Sequence, residues 1–178
     1  MSEQQFKEHI AQHLKSIRKG RALSLDAVAK LTGVSKAMLG QIERQESSPT
    51  IATLWKISSG LETSFSAFFA SPSTDKLDQD SFPDDPNMKV KPIFPYQDDT
   101  KIEVLEICLI NGHEQHSEPH NTGMIEHVHV KSGELSIYFG NTWHDLKVGD
   151  SIRFFADQPH AYKALTDSTV FHNIICYC

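Results

Sequence analysis

The sequence predicts a two-domain protein in which an all-α helical bundle precedes an all-β barrel. Apolar residues recur at helical spacing over residues 6–69, and short apolar segments separated by glycines follow from residue 101. Charge divides in the same way: residues 1–60 hold nine Lys and Arg against five Asp and Glu, and residues 61–178 hold eight against eighteen. Such asymmetry is typical of a nucleic-acid-binding part joined to a part with another role.

Five short helices are predicted in the first domain. The first carries apolar residues about one helical turn apart, namely Phe6, Ile10, Leu14 and Ile17. Ser24 and Ser35 are suitable N-caps for the second and third helices, and Gly33 follows the end of the second. A fourth helix opens at residues 48–50, and a short fifth runs over about residues 64–69.

Residues 71–100 separate the two patterns. Five prolines and seven aspartates lie in this stretch, which is typical of a polar connector between domains. We therefore predict a helical domain over residues 1–70, a linker over 71–100 and a β domain over 101–178. The apolar end of the linker, residues 93–96, could add an edge strand.

The second domain is predicted to consist of short strands. Glycine-containing turns separate the segments, which favours a sandwich or barrel. The predicted strands are Ile102–Leu109, Ile125–Val130, Leu135–Phe139, Ser151–Phe155 and Val170–Tyr177.

The second and third helices form a helix-turn-helix. Gly33 lies in the turn, where a tight bend needs a backbone angle that Cβ-bearing residues resist. Polar side chains on the outer face of the third helix, Lys36 and Gln41, are placed to reach base edges. The alternative is that these side chains only solvate a helix face.

This region resembles the helix-turn-helix of the phage-repressor-like (Cro/C1 or XRE-type) family over residues 8–68. The matching residues are Gly33-Val34-Ser35, Leu39, Ile42-Glu43, Ser48-Pro49-Thr50 and Leu54. The resemblance implies that Lys36, Ala37 and Gln41 contact bases of double-stranded DNA. It implies that Ser24, Ser35 and Arg44 lie near phosphates, and that Glu43 forms an ion pair with Arg18.

The β domain contains residue types that bind metals. His120, Glu126 and His160 lie in different predicted segments, and two imidazoles with one carboxylate can hold Zn²⁺ or Fe²⁺ with positions left open. Glu118 is a candidate fourth ligand. Tyr162 shares the predicted inward face of His160 and is a candidate effector contact.

Residues 101–178 resemble the cupin superfamily, a small double-stranded β-helix barrel. The resemblance depends on the spacing from Glu126 to Gly133 and on Gly149-Asp150 followed by Pro159-His160. It departs from the family in three places: Glu118 replaces a first-motif histidine, the His120–Glu126 gap is longer, and Ala164 replaces an asparagine. These departures favour a sensor pocket over an oxygen-activating centre, and a metal-free barrel is the alternative.

Other histidines and cysteines are expected to serve no ligand role. His127 and His129 alternate with Glu126 on the same strand, so they face outward if Glu126 faces inward. His113, His144 and His172 have no partner in sequence. Cys176 and Cys178 share one strand face and are expected to be small buried residues, with a thiol ligand or redox switch as the alternative.

The full pattern predicts a transcription regulator, most simply a repressor, with a cupin effector sensor. The chain is similar to enterobacterial regulators of sulphur utilisation, which implies a small effector such as a sulphur-containing amino acid near the metal. Zinc is favoured over iron because it needs no redox management. We expect a homodimer on a palindromic operator, because one small domain contacts too few base pairs for high specificity.

Two other functions remain open from the sequence. One is an iron-dependent oxygenase or epoxidase that carries a helix-turn-helix, and the other is a DNA-binding protein whose barrel serves only dimerisation. A membrane location is not expected, because no apolar run approaches the about 18 residues that a span needs. Three cysteines without a disulfide framework favour a reducing cytoplasm.

Overall fold

The computed structural model describes residues 3–69, 80–82 and 85–177. The described residues form four α-helices, one short 3₁₀ helix and ten β-strands. The chain divides into two compact units, Met1–Asp75 and Lys76–Cys178. None of the described helices combines the length and the apolar character that a membrane crossing needs.

The first unit is all-α, as the sequence predicts. Its α-helices are α1 Glu3–Gly20, α2 Leu25–Thr32, α3 Lys36–Glu43 and α4 Ile51–Gly60. The predicted fifth helix is a single 3₁₀ turn, Ser66–Phe68. Its backbone bonds span three residues, so it ends before a regular α-helical turn is completed.

Side-chain and glycine caps fix the junction between α2 and α3. The hydroxyl of Ser24 accepts a hydrogen bond from the Ala27 N–H at 3.1 Å, and that of Ser35 accepts one from Met38 at 3.2 Å. Gly33 ends α2 in the left-handed region, at φ 67°, and its N–H bonds the Ala29 carbonyl at 3.0 Å. The turn is therefore short and well defined.

An aromatic and aliphatic core holds the helical unit together. The rings of Trp55 and Phe65 stack at 3.8 Å between centroids, and Phe69 meets Phe65 edge-on at 4.9 Å. Other large, fully buried side chains of this unit are Ile10, Leu14, Leu39, Ile42, Ile51, Leu54, Ile57 and Phe68. Because α3 contributes two of these residues, its inner face is anchored and its outer face stays exposed.

The second unit is a barrel of two antiparallel sheets. One has the strand order β1-β2-β3-β10-β5-β8 and the other β4-β9-β6-β7. Their bounds are β1 Asp80–Phe82, β2 Asp85–Gln97, β3 Ile102–Ile110, β4 Glu114–Ser117, β5 Ile125–Ser132, β6 Leu135–Phe139, β7 Thr142–Leu146, β8 Ser151–Phe155, β9 His160–Ala164 and β10 Ser168–Cys176. The long strands alternate buried with half-buried residues, so one face of each lines the barrel.

The strand β2 is longer than the predicted edge segment. It begins at Asp85 and pairs with β3 from Met88 to Gln97, so these residues of the predicted linker belong to the barrel sheet. Register shifts beside Pro92 and Phe94 accommodate the prolines. The outermost strand of this sheet is β1, and the linker residues 71–79, 83 and 84 lie outside the described residues.

The turn between β5 and β6 requires glycine at position 133. Gly133 has a φ of 73°, and a Cβ at this position would lie 2.4 Å from the Ser168 carbonyl oxygen. Any larger residue would push the turn away from the start of β10. The motif spacing from Glu126 to Gly133 therefore reflects one strand and the tight turn that follows it.

Candidate metal centre and nucleic-acid interface

The barrel interior brings together His120, Glu126 and His160. Glu126 lies on β5 of the larger sheet, and His160 is the first residue of β9 on the smaller sheet. His120 lies in the segment between β4 and β5. All three side chains are buried, and their candidate ligand atoms lie within 4.8 Å of one another. Among the described residues, this is the one such group of His, Cys, Asp and Glu.

Backbone contacts hold the segment that carries His120. The His120 N–H donates to the Ala156 carbonyl at 2.9 Å, and the Ala156 N–H donates to the Met124 carbonyl at 2.9 Å. The Gly123 N–H donates to the Asp157 carboxylate at 3.0 Å. These bonds tie the segment to the end of β8, so the position of His120 is set by two parts of the chain.

One oxygen of Glu126 faces both imidazoles. Its Oε1 lies 3.3 Å from His120 Nε2 and 3.7 Å from His160 Nε2. Ligand atoms about 2.0–2.2 Å from a common zinc ion are roughly 3–4 Å apart, so these separations fit a shared ion. The two imidazole rings meet edge-on at 4.9 Å between centroids.

The other oxygen of Glu126 is held from the opposite side. Its Oε2 accepts hydrogen bonds from the Tyr162 hydroxyl and from Asn173 Nδ2, the latter at 2.7 Å. Tyr162 lies on β9 of the smaller sheet, and Asn173 lies on β10, which pairs with β5. They leave Oε1 directed at the histidines, which is the role that outer partners of metal ligands commonly have.

Glu126 is ionised despite its burial. Burial alone raises the pKa of this carboxyl, but the hydrogen bond with His120, the charges of His160 and His120, and the Tyr162 hydroxyl outweigh it and lower the pKa to about 2. Burial and the same carboxylate raise the pKa of Tyr162 well above its ordinary value. Tyr162 therefore stays protonated and donates to Glu126.

His160 presents a free nitrogen lone pair to the group. Its Nδ1 lies 2.8 Å from the Gln158 carbonyl oxygen, which can only accept, so Nδ1 carries the proton. Its Nε2 is buried and makes no hydrogen bond within the described part of the chain. Burial lowers the pKa of His160, which favours the neutral imidazole that a metal needs.

These observations fit a divalent metal held by His120, Glu126 and His160. An unpaired buried nitrogen, an ionised carboxylate and a second imidazole together satisfy the preferences of zinc or iron. The surrounding walls are aromatic: Phe154 stacks on Phe139 at 4.7 Å and leans over His160 at 5.4 Å. Such walls limit water and strengthen electrostatic interactions inside the site.

The geometry bears on two further residues that were predicted for this site. Glu118 is exposed and is not part of the buried group, so the structure does not bring it to the other three. Tyr162 faces inward, and its hydroxyl donates to Glu126, so it is placed to orient that carboxylate. Ala164 is buried at the end of β9.

Asn173 was missed by sequence reasoning. It lies on β10 between Phe171 and Ile175 on the inward face, and only 1 % of its surface is exposed. The sequence does contain a signal for it: Asn173 is a polar residue at a strand position where the alternating pattern predicts a buried apolar one. A buried amide needs hydrogen-bond partners.

The remaining histidines lie away from the centre. His127 is half-buried and His129 is exposed on the outer face of β5, as expected for neighbours of an inward Glu126. His113, His144 and His172 are not in the buried group. The expectation of buried cysteines is wrong for Cys176, which is half-buried with Sγ 3.9 Å from His127 Nδ1. Cys178 lies outside the described residues.

The predicted DNA-contacting residues are all exposed. Lys36, Ala37 and Gln41 lie on α3, and Ser24, Ser35 and Arg44 lie at helix ends. Lys36 Nζ pairs with Asp26 at 2.7 Å and Arg44 pairs with Glu46 at 2.7 Å, both in solvent. Because exposed ion pairs contribute little, these cations can exchange their partners for phosphates or bases at small cost.

An ion pair between Arg18 and Glu43 holds α3 against α1. Arg18 Nε and Nη2 donate to the two oxygens of Glu43 at 2.5 and 2.8 Å, and Arg18 Nη1 donates to the Leu23 carbonyl at 3.1 Å. The expected Arg18–Glu43 pair is therefore present. Its two parallel bonds fix α3 relative to α1 more firmly than a single contact would.

Fold and site together define a class of protein: a helix-turn-helix DNA-binding protein with a cupin barrel that contains a candidate metal centre. Family models agree with both parts. A helix-turn-helix model matches residues 14–68, and a cupin-domain model matches residues 106–174.

Full-length relatives extend this assignment. The chain is 44% identical over 165 residues to the HTH-type transcriptional regulator SutR of Escherichia coli K12, covering 92% of each protein. It is 57% identical to an HTH_3 family transcriptional regulator of Vibrio cholerae, whose crystal structure matches with a TM-score of 0.94 over 99% of each chain. A cupin domain of an XRE family regulator from Enterobacter cloacae is 39% identical, covers 52% of this chain and 98% of its own, and has a TM-score of 0.50. The chain therefore belongs to the family of helix-turn-helix transcriptional regulators that carry a cupin domain.

Proposed function

We propose that this regulator is a repressor whose barrel binds a divalent metal and a small effector and whose helical domain binds an operator. The observation that carries the proposal is the pairing of two features in one chain. The outer face of α3 exposes Lys36 and Gln41, while His160 Nε2 lies buried beside an ionised Glu126. Each feature has the chemistry of a binding site.

In the DNA-bound form, Gln41 and Lys36 contact base edges and the Ala37 methyl contacts an apolar base edge. Gln suits adenine, and Lys suits guanine acceptors. Ser24, Ser35 and Arg44 lie where phosphates pass, and helix N-termini at the two serines favour anions. Two such domains in a homodimer contact the halves of a palindromic operator.

In the barrel, His120, Glu126 and His160 hold the metal, and zinc is favoured over iron. The bound metal supplies a Lewis-acidic anchor for a polar group of the effector. Tyr162 and Asn173 keep Glu126 Oε1 turned toward the imidazoles, and the Gln158 carbonyl keeps His160 in the required tautomer. The effector candidate is a sulphur-containing amino acid, because zinc accepts sulphur ligands such as a thiolate.

Regulation then follows from linkage. An effector that binds two barrel arrangements unequally shifts the balance between dimer geometries that match or miss the operator spacing. The metalloenzyme alternative has weaker support, because the full-length relatives are transcriptional regulators.

Selection of binding sites from random duplexes, followed by salt titration, tests the DNA-binding part. We expect a palindromic sequence to be enriched and its affinity to fall steeply with salt concentration. A Gln41→Ala variant should enrich a degenerate sequence at the corresponding base pairs. Equal binding to all duplexes by the wild-type protein would contradict the proposal.

A further inference from the structure

The side chain of Gln158 joins backbone segments that belong to different sheets of the barrel. Gln158 is half-buried in the loop between β8 and β9. Its Oε1 accepts a hydrogen bond from the Gly140 N–H at 2.9 Å, and its Nε2 donates to the Phe155 carbonyl at 2.8 Å. Both ends of the amide are therefore paired with backbone groups, which fixes its orientation. The main-chain carbonyl of the same residue accepts from His160 Nδ1 at 2.8 Å.

The turn that this amide holds carries part of an aromatic wall beside the candidate metal site. Gly140 begins the two-residue turn between β6 and β7, with a φ of 57°. In such a turn the first N–H lies outside the strand ladder, so it is available to Gln158. Phe139, directly before the turn, stacks on Phe154 at 4.7 Å, and the Phe154 ring lies 5.4 Å from that of His160. The position of the turn therefore sets the position of this wall of two phenylalanines.

The loop between β8 and β9 also holds the other imidazole. The Ala156 carbonyl accepts the His120 N–H at 2.9 Å, and the Asp157 carboxylate accepts the Gly123 N–H at 3.0 Å. Residues 156–158 are thus bonded to the segment that carries one candidate ligand and to the ring of the other. A shift of this loop would move both imidazoles relative to the carboxylate between them.

We propose that Gln158 is a positioning residue that couples the aromatic wall to the histidine ligands of the metal. The inference rests on the metal and effector site of the proposed function and names the residue that links its parts. A ligand that displaces Phe139 moves the turn at Gly140, and the Gln158 amide passes that displacement to the loop that orients both imidazoles. By linkage, a metal that fixes His160 also holds the wall in place.

A side chain that only clamped a turn would contribute stability and nothing else, and the barrel has such a clamp near its other end. The Thr166 hydroxyl accepts from the Glu134 N–H at 3.2 Å and donates to the Ser168 carbonyl at 3.0 Å, so it also joins two backbone segments. Ser168 begins β10, and Ile175, which pairs with Glu126, lies near the end of that strand. At about 3.3 Å per residue this clamp lies roughly 20 Å from the level of the site.

Competition between the full chain and a zinc chelator tests the positioning role. Gln158→Met keeps the length of the side chain and removes both amide hydrogen bonds, so we expect zinc affinity to fall about tenfold. Thr166→Val is the matched control, because it removes both hydroxyl bonds with little change of shape. It should bind zinc within about twofold of the wild type. Thermal melting of the metal-free proteins measures the loss of the clamp in each variant.

Nitrogen-15 NMR of the metal-free protein gives a readout that a simple clamp would not move. At a pH at which the His160 ring is neutral, the wild type should hold the proton on Nδ1. In Gln158→Met the Nε2–H form should rise to about a fifth of the population or more, because the acceptor of Nδ1 is no longer held in line. Gln158→Glu retains an acceptor for the Gly140 N–H and should keep the wild-type tautomer, as should Thr166→Val.

Hydrogen exchange of the Gly140 amide follows the coupling in the other direction. Zinc should slow this exchange about fivefold or more in the wild type, because a fixed His160 ring stabilises the loop that holds the turn. In Gln158→Met the exchange should be equally fast with and without zinc.

Wild-type zinc affinity in Gln158→Met, or an unchanged His160 tautomer, would overturn the positioning role. So would a Gln158→Glu protein with the tautomer of Gln158→Met, or a wild-type Gly140 amide that zinc does not protect. A wild-type protein that binds no zinc would contradict the metal site of the proposed function. The tautomers of the metal-free proteins would then still decide whether Gln158 positions His160.

Discussion

Glu126 divides its two carboxylate oxygens between two kinds of partner. Oε2 accepts from Tyr162 and Asn173, and Oε1 faces His120 and His160. The pKa of about 2 means that the carboxylate is ionised at neutral pH. The negative charge is therefore a fixed feature of the site near neutral pH.

Replacing Glu126 by Gln should abolish metal retention. The variant keeps the shape but removes the charge, so we expect affinity to fall by more than the about 10- to 100-fold that outer partners are worth. Metal content of purified protein by mass spectrometry measures this. Glu118→Gln is the control and should retain metal, because Glu118 is exposed and outside the group. Equal loss in both variants would contradict the assignment.

Tyr162→Phe and Asn173→Ala should each weaken metal binding without removing a ligand. Each variant frees Glu126 Oε2 from one donor, and an affinity loss of about 10- to 100-fold is expected. Competition with a zinc chelator measures the change. Tyr138→Phe, which removes an exposed hydroxyl bonded to Asn141 at 3.3 Å, should bind zinc as the wild type does. A wild-type affinity in both site variants would refute the orienting role.

The titration of His160 in the metal-free protein should be displaced to acid. Burial lowers its pKa below the ordinary 6.5, while the charge of Glu126 opposes that shift. Glu126→Gln removes the opposing charge, so the pKa of His160 should fall further. Nitrogen-15 NMR of the imidazole measures both values. The neutral ligand form then persists to lower pH in the variant than in the wild type, and a rise in the variant's pKa would contradict this electrostatic account.

At the scale of elements, amphipathic spacing and capping residues were sufficient to predict the helices from the sequence. At Ser24, Gly33 and Ser35 the local backbone preference and the tertiary packing favour the same helix ends. Such local signals were insufficient for the short strands β4, β7 and β9. In β4 one residue, Gln115, is buried, and in β7 one residue, Leu146, is buried, so the alternation signal is weak. These strands form because neighbouring strands pair with them, and strand pairing cannot be predicted from the residues of one short segment alone.

In the candidate metal site, too, some residues could be predicted from a local sequence pattern and others could not. His120, Glu126 and His160 could be found by residue type and motif spacing alone. The partners of Glu126 could not, because Tyr162 and Asn173 reach it from strands 36 and 47 residues further along the chain. Glu118 illustrates the opposite error: it has a suitable residue type and position in sequence, but it lies before the turn that carries His120 inward.

Gln41 on α3 should contribute specificity, and Arg44 should contribute affinity. Gln41→Ala is expected to cost about 1–3 kcal/mol on the selected operator and little on random duplex DNA. Arg44→Gln should weaken both and reduce the salt slope by about one. Fluorescence anisotropy at several salt concentrations measures these effects. Lys147→Gln, an exposed charge in the barrel unit, is the control for net charge. Unchanged base preference in Gln41→Ala would remove Gln41 from the recognition surface.

At the scale of the whole molecule, the opposite net charges of the two units can be explained by their different roles toward DNA. The positive net charge of residues 1–60 attracts the DNA backbone. The negative net charge of residues 61–178 repels it, so nonspecific contacts with DNA are confined to the helical unit. In the proposed dimer, coupling between the two units would depend on dimer geometry, since two copies of α3 must match one operator.

The central claim is that occupancy of the barrel changes operator binding. Its most direct test is anisotropy of a labelled duplex from upstream of the protein's own gene, using wild type and Glu126→Gln, each with zinc alone and with zinc plus L-cysteine or L-methionine. We predict that one amino acid changes the wild-type operator affinity by about fivefold or more and leaves Glu126→Gln unchanged. The same operator affinity in all states of both proteins would contradict the account.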